Sequence, residues 1–236
     1  MTILALSFAS YLFALWKRPL LYLGVALQVV YIFSRGGELG RLPLVGPHDT
    51  LVFLAASMAG FAIPFGFTLK KRTDFFNVIA VVAAIFTAFV MTAKQHNAPL
   101  PPILKTFWFE CHVVLAFMSY ALFGIAAVLG GIFFKDNDSS IDGLAYRAVL
   151  IGYCLFTLSM VFGGIWAYLA WGTYWVWTPK ELWTSILWVF YSFYLHARLR
   201  QWWMGKPMAC LGIIGFGVVL FTYLGVSLLM KSSHSF

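Results

Sequence analysis

Residues 166–188 read W-A-Y-L-A-W-G-T-Y-W-V-W-T-P-K-E-L-W-T-S-I-L-W and contain six of the chain's ten tryptophans. Four of these rings, Trp171, Trp175, Trp177 and Trp183, surround a polar step that begins at Thr178. The stretch is too aromatic for a soluble loop and too polar for the middle of a bilayer. It therefore predicts a segment that lies at the membrane surface.

Two interpretations of this tryptophan segment (residues 166–183) remain open. Tryptophan is enriched in belts at both membrane interfaces, and such a belt uses one or two rings at each helix end. Here four rings fall within thirteen residues, with Gly172 between them and a helix restart at Pro179. This density favours an aromatic platform that can stack on a planar ligand.

The composition assigns the chain to a class. Hydrophobic residues make up 62% of the sequence and charged residues only 10%, which lies far outside the range of soluble domains. We therefore predict an all-α polytopic membrane protein. In a soluble chain a net charge of +8 would suggest nucleic acid, but here the basic residues flank hydrophobic segments, so we predict no nucleic-acid partner.

The cysteines and the N-terminus add little to the functional prediction. Cys111, Cys154 and Cys210 lie in apolar segments without C-x-x-C spacing, so the sequence indicates no disulfide framework, zinc site or thiol redox motif. The first apolar run lacks a preceding basic region, and we expect no cleavable signal peptide.

The hydropathy pattern predicts one membrane domain, 1–236, with about eight transmembrane helices. A four-helix part, 1–105, precedes a second part, 106–236. A polar loop is expected at 34–49, a proline-rich loop at 94–102 and an acidic linker at 135–143. The expected segments are 2–16, 19–34, 50–69, 74–93, 106–134, 144–170, 182–200 and 207–230, of which the first two are short for a perpendicular span.

Lysine and arginine positions predict the orientation, because cytoplasmic loops carry an excess of both residues. One side of the eight-span arrangement holds ten basic residues and the other side holds six. We expect the richer side to be cytoplasmic, so both termini and the tryptophan segment face outward. The ten are Lys17, Arg18, Lys70, Lys71, Arg72, Lys135, Arg147, Arg198, Arg200 and Lys206, and the six are Arg35, Arg41, Lys94, Lys105, Lys180 and Lys231.

Three histidines are candidate ligands in this topology. His112 and His234 lie at the outer level of the tryptophan segment, whereas His196 follows Glu181 by about 22 Å of helix and lies within the membrane. Each has a plainer interpretation: a frayed terminus for His234, a hydrogen-bonded interface residue for His112, and snorkelling for His196. Two outer imidazoles beside aromatic walls, however, are what a haem requires.

Residues 171–183 resemble the W-G-x-Y-W-x-W-D-P-K-E-x-W signature of CcsA/ResC-type cytochrome c biogenesis proteins, a haem-handling family named for its tryptophan-rich WWD domain. Residues 194–198 are similar to its Y-L-H-A-R motif, and residues 221–226 and 234–236 to its F-T-Y-x-G-V and closing L-H-S-Y motifs. Residues 39–43 are a weaker match to its first outer loop. The resemblance covers most of the chain.

The resemblance implies a bacterial inner (plasma) membrane protein that carries haem b to the outer face and presents it to apocytochrome c. His112 and His234 would be outer axial ligands, and His196 one ligand of a haem within the membrane. A CcsB/ResB-type protein would supply the second inner ligand, making a two-subunit cytochrome c synthase. The implied haem-binding residues are Trp171, Gly172, Trp175, Trp177, Thr178, Pro179, Glu181, Trp183, His112, His196 and His234, and no catalytic base is assigned.

One position departs from the family signature, since Thr178 replaces its aspartate. Thr178, Pro179 and Glu181 form a capping-box pattern, and both Asp and Thr cap helices. Glu181 has two interpretations, as a capping residue or as a contact of the ligand. Two other functions stay open: a HemX-like membrane regulator of the same fold, and a b-type haem electron-transfer protein.

Overall fold

A computed structural model describes residues 1–69 and 72–226, and the regular structure in those ranges is helical. Eight α-helices occur there, with short 3₁₀ turns at Pro102–Leu104 and Gln201–Trp203 and one π-helical turn at Phe221–Gly225. The α-helices are α1 Thr2–Phe13, α2 Pro19–Leu39, α3 Pro47–Thr68, α4 Thr73–Thr92, α5 Phe107–Asp136, α6 Ser139–Trp171, α7 Pro179–Ala197 and α8 Lys206–Leu220.

The chain divides into two compact units, Met1–Lys105 and Thr106–Phe236. In the first unit α1 packs on α2 and α4, and α3 packs on α2 and α4. A buried polar chain ties three of these helices together: Tyr11 donates to Gln28 at 2.7 Å, and Gln28 donates to Thr87 at 2.8 Å. Because buried polar groups must be paired, this chain fixes the mutual register of α1, α2 and α4.

The second unit is built on the long antiparallel pair α5 and α6, against which α7 and α8 pack. The Thr106 side chain caps α5 and the Asp138 side chain caps α6, each by accepting a backbone N–H. Helices α5 and α8 approach closely at Gly130, where an added Cβ would lie 3.0 Å from the Ala209 carbonyl oxygen. Small residues thus permit the tight helix contact, as is common in membranes.

Six of the helices in the described residues are long and apolar enough to cross a membrane, namely α2 to α6 and Lys206–Gly225. The protein is therefore a multi-pass membrane protein. Helix α1 is apolar but has only 12 residues, and α7, with 19 residues, is not among the six. Both lie where the sequence predicts spans, and eight crossings stay a prediction.

The structure corrects two predicted connections. The acidic linker 135–143 is mostly helical, because α5 runs to Asp136 and α6 begins at Ser139; Asp142 is buried there and pairs with Arg198. The loop expected at 34–49 is also shorter, because α2 continues to Leu39. Arg35 and Asp142 can lie in these helix ends because each pairs with an oppositely charged residue, which hydropathy alone does not reveal.

Candidate functional site

The tryptophan segment leaves α6 through a left-handed Gly172, whose N–H bonds to the Tyr168 carbonyl at 2.8 Å. The Tyr174 ring then stacks on Tyr168 with centroids 4.6 Å apart. These two contacts fold the chain back on the end of α6. Trp166 remains buried in the helix, whereas Trp171 and Trp177 are exposed, Trp177 by 69%.

The start of α7 has the predicted capping box. The Thr178 hydroxyl accepts from the Glu181 N–H at 3.3 Å, and the Glu181 carboxylate accepts from the Thr178 N–H at 2.8 Å. Pro179 occupies the first helical turn. Thr178 therefore does what a capping aspartate would do at this position. Farther along, the Trp183 ring packs edge-on against Phe221, with centroids 4.5 Å apart.

His112 is seated in a notch of α6. Its Nδ1 lies 2.9 Å from the Ser159 carbonyl oxygen, and the Ser159 hydroxyl donates to the His112 carbonyl at 2.8 Å. The notch exists because residue 163 is glycine: a Cβ there would lie 2.6 Å from Nδ1. Since a carbonyl only accepts hydrogen bonds, Nδ1 carries the proton and Nε2 keeps its lone pair.

This seat lies beside the tryptophan segment. Gly164, next to the notch glycine, has the Tyr174 carbonyl oxygen 3.6 Å from the position of an added Cβ. Lys180, in the first turn of α7, is near enough to act electrostatically on the His112 imidazole. The fold thus brings together His112, the tryptophan segment and the start of α7.

His196 lies elsewhere, near the far end of α7. Its side chain is exposed on the helix surface, and its Nδ1 bonds to the Ser192 carbonyl at 2.8 Å, which again leaves Nε2 with a lone pair. Its neighbours in the Y-L-H-A-R motif point inward: Tyr194 and Ala197 are buried, and Arg198 pairs with Asp142. His234 lies outside the described residues.

Sequence reasoning missed Ser159 and Gly163, and it missed a buried polar cluster in the first unit. A Gly163–Gly164 pair inside an apolar helix is a signal for close approach by another group, and it was available. In the cluster, Arg35 bonds to Asp49 at 2.8 Å and His48 bonds to the same oxygen at 2.9 Å. An arginine beside an apolar helix was the available signal there.

The cluster also corrects the placement of His48, which the topology put in an outer loop. His48 is buried in the first turn of α3, and its second ring nitrogen lies 3.3 Å from the Tyr31 hydroxyl. Both nitrogens are therefore occupied. His48 has the hydrogen bonds of a structural residue, in contrast to His112 and His196.

Comparison with known proteins places these features in a family. The family described as Cytochrome C assembly protein matches residues 46–234. The chain is 33% identical to the cytochrome c biogenesis protein CcsA of Chlamydomonas reinhardtii over 92% of this chain and 68% of that one. It is 28% identical to CcsA of Prochlorococcus marinus (strain NATL2A) over 99% of this chain and 94% of the relative.

The fold is similar to that of a solved structure, the cytochrome c haem lyase CcmF, with a TM-score of 0.67 at 14% identity. That match covers 98% of this chain but only 45% of CcmF, so it bears on the fold alone. The family match extends from α3 through the tryptophan segment and beyond α8. The chain belongs to the cytochrome c assembly protein family, as a CcsA-type cytochrome c biogenesis protein.

Proposed function

We propose that this chain carries haem to the outer face of a bacterial plasma membrane and presents it for attachment to apocytochrome c. The observation that carries the proposal is the seat of His112 beside the tryptophan segment. Its Nδ1–H donates to the Ser159 carbonyl, so the lone pair of Nε2 is the one that can coordinate iron. Histidines that bind metals have this arrangement, with the second ring nitrogen bonded to a carbonyl or carboxylate.

The tryptophan segment is the proposed wall of the outer haem site. Haem is a planar, largely apolar cargo, and exposed rings such as Trp177 and Trp171 offer faces on which it can stack. His112 would supply one axial ligand from α5. His234, outside the described residues, is the proposed second outer ligand. Trp175 and Trp183, both half-buried, would complete the aromatic surroundings.

His196 is the proposed ligand of an inner haem b. Its imidazole is exposed on α7 in line with a stripe of exposed apolar side chains, so a ligand bound to Nε2 would lie outside the described helices of the second unit. The spacing of the stripe alternates between four and three residues, which suits one packed helix of another protein. The stripe consists of Leu182, Ile186, Val189 and Phe193.

A second histidine must come from that other protein. His48 has both ring nitrogens bonded and is buried in the first turn of α3, so it is not available as a ligand. We therefore propose a CcsB/ResB-type membrane protein as partner. Together the two would form the cytochrome c synthase, with both termini of this chain and the tryptophan segment outside.

The chemistry requires placement more than acid–base catalysis. A cysteine thiol of the apocytochrome adds across a haem vinyl group: a sulfur–carbon bond forms, the vinyl double bond becomes single, and the thiol hydrogen ends on the second vinyl carbon. No atom leaves and no net oxidation occurs. An imidazole and aromatic faces that hold the porphyrin in one orientation would accelerate this step by proximity.

The experiment is co-expression with and without the CcsB/ResB-type partner, followed by purification and a reduced-minus-oxidised haem spectrum. A reporter apocytochrome c in the same cells measures maturation. We expect haem b in the purified complex, and mature cytochrome c only when both proteins are present. Two fully ligated haems and mature cytochrome from this chain alone would exclude the two-subunit proposal.

The same spectra separate the two other functions. A HemX-like regulator would purify without haem and would leave cytochrome maturation unchanged when deleted. A b-type electron-transfer protein would contain haem but would not mature the reporter. The position of His112 at a membrane edge beside exposed tryptophans favours haem presentation over electron transfer between helices.

A further inference from the structure

Trp177 has a backbone conformation that residues other than glycine rarely adopt. Its φ is +60°, in the left-handed region. Among the described residues other than glycine, only Asn137 shares a positive φ, and asparagine tolerates this region because its short polar side chain bonds locally. Tryptophan has no such compensation. Contacts around Trp177 must therefore hold it there.

The group that holds it is the Glu181 carboxylate. Its Oε2 accepts from the Val176 N–H at 3.1 Å and from the Thr178 N–H at 2.8 Å, the amides on either side of Trp177. Backbone N–H groups that converge in this way around a left-handed residue form a nest, which is an anion-binding concavity. Here the anion is the protein's own side chain, which is 9% exposed.

We propose that Glu181 is the positioning residue of Trp177: its carboxylate fills the nest, holds residue 177 left-handed and turns the indole outward. Glu181 then contacts no part of the haem. The role in haem binding rests on the proposed function, whereas the control of the Trp177 conformation does not. The carboxylate keeps its part in the capping box, and the control of Trp177 takes the place of a direct contact with the ligand.

The nest shares the bond from the Thr178 N–H to the Glu181 carboxylate with the capping box, but the other bond of the box is independent of that carboxylate, which makes the proposal testable. The cap bond runs from the Glu181 N–H to the Thr178 hydroxyl and does not involve the glutamate side chain. Replacing Thr178 by alanine removes that bond but keeps both amides of the nest. Replacing Glu181 by alanine keeps that bond but removes both carboxylate bonds, those to the Val176 and Thr178 N–H groups. Thr178→Ala is therefore the matched control for Glu181→Ala.

The first experiment is ¹⁹F NMR of the full chain labelled with 5-fluorotryptophan, and it needs no bound haem. The Trp177 and Trp171 signals are assigned by their loss in Trp177→Phe and Trp171→Phe. We expect Glu181→Ala to shift or broaden the Trp177 signal while the Trp171 signal stays in place, and Glu181→Gln, which keeps an acceptor oxygen, to have a smaller effect. An unmoved Trp177 signal in Glu181→Ala, or an equal change in Thr178→Ala, would overturn the proposal.

The second experiment is a double-mutant cycle of haem affinity in the complex with its partner. Glu181→Ala is expected to weaken haem binding by about tenfold, because haem binding would then have to supply the free energy that holds a non-glycine residue in the left-handed conformation. In a Trp177→Ala background the same change should have no further effect, because the ring it positions is gone. Additive losses would mean that Glu181 contacts haem directly. If even the unmodified complex does not bind haem, the proposed function fails, while the NMR result on the Trp177 conformation still stands.

Discussion

The Nδ1 of His112 on α5 lies 2.9 Å from the carbonyl oxygen of Ser159 on α6. That carbonyl sits one helical turn before Gly163, whose missing side chain leaves the space for the ring. The imidazole is thus oriented by a neighbouring helix and not by its own. Its direction therefore depends on the packing of α5 against α6, and small changes on α6 should alter its ligand chemistry.

Gly163→Ala tests this dependence. The new Cβ would lie 2.6 Å from Nδ1, so the ring must move, at a cost of about 1–3 kcal/mol for an overpacked site. We expect lower haem content, comparable with that of His112→Ala. Added imidazole should restore the spectrum of His112→Ala, where the seat is empty, more than that of Gly163→Ala, where the displaced ring still obstructs it. Gly131→Ala is the control, because nothing lies within 4 Å of a Cβ there.

His196→Ala should remove one haem signal and leave the other. The purified complex, measured by redox titration with spectra at each potential, is expected to lose one of two transitions. Ile151→Ala, at an exposed position of α6 outside the proposed partner stripe, is the control for general loss of an exposed side chain. Two transitions of unchanged size in His196→Ala would remove this residue from the haem sites.

Thr178→Asp should leave expression unchanged, because threonine and aspartate differ as helix caps by only about a few tenths of a kcal/mol. The new carboxylate would lie beside that of Glu181, which already bonds to the Thr178 N–H. Maturation of the reporter cytochrome then shows whether charge matters at this position. A gain would mean that threonine limits this chain, whereas a loss would mean that its site has adjusted to threonine.

Breaking the Arg35–Asp49 pair should destabilise the first unit. Asp49 is fully buried and accepts from both Arg35 and His48, so Asp49→Ala leaves an uncompensated guanidinium, with an expected loss of about 3–5 kcal/mol. Thermal unfolding in detergent measures this. The double variant Arg35→Met/Asp49→Leu should be more stable than Asp49→Ala. If the double variant is less stable, the unpaired buried guanidinium is not the main cause of the destabilisation in Asp49→Ala.

Orientation is testable by thiol labelling in intact cells. In a background without Cys111, Cys154 and Cys210, a single cysteine replaces either Ala98 or Ser139. Both residues are exposed, Ala98 in the loop after α4 and Ser139 at the start of α6. An impermeant reagent should label position 98 and not position 139, because the distribution of basic residues predicts that Ser139 is cytoplasmic. Both should react after permeabilisation. The opposite pattern in intact cells would invert the topology.

The sequence determined the features that depend on local composition. The helices near 50–69 and 74–93 follow from hydropathy alone, and the start of α7 follows from Thr178, Pro179 and Glu181, because a capping box is closed by residues three apart. The tryptophan segment was also visible, since aromatic density at a membrane surface is a property of the chain and not of its packing.

Tertiary structure decided what depends on contacts between distant residues. The notch for His112 is made by Ser159, 47 residues away, and the buried pairs Arg35–Asp49 and Asp142–Arg198 turn predicted loop residues into helix. The left-handed Trp177 is held by a residue only four positions away, but it was not predicted, because tryptophan disfavours that conformation and no spacing rule indicates the bond from the Val176 N–H to the Glu181 carboxylate. Hydropathy and spacing report the preference of each segment, whereas the pairing of buried polar groups is settled only when the helices meet.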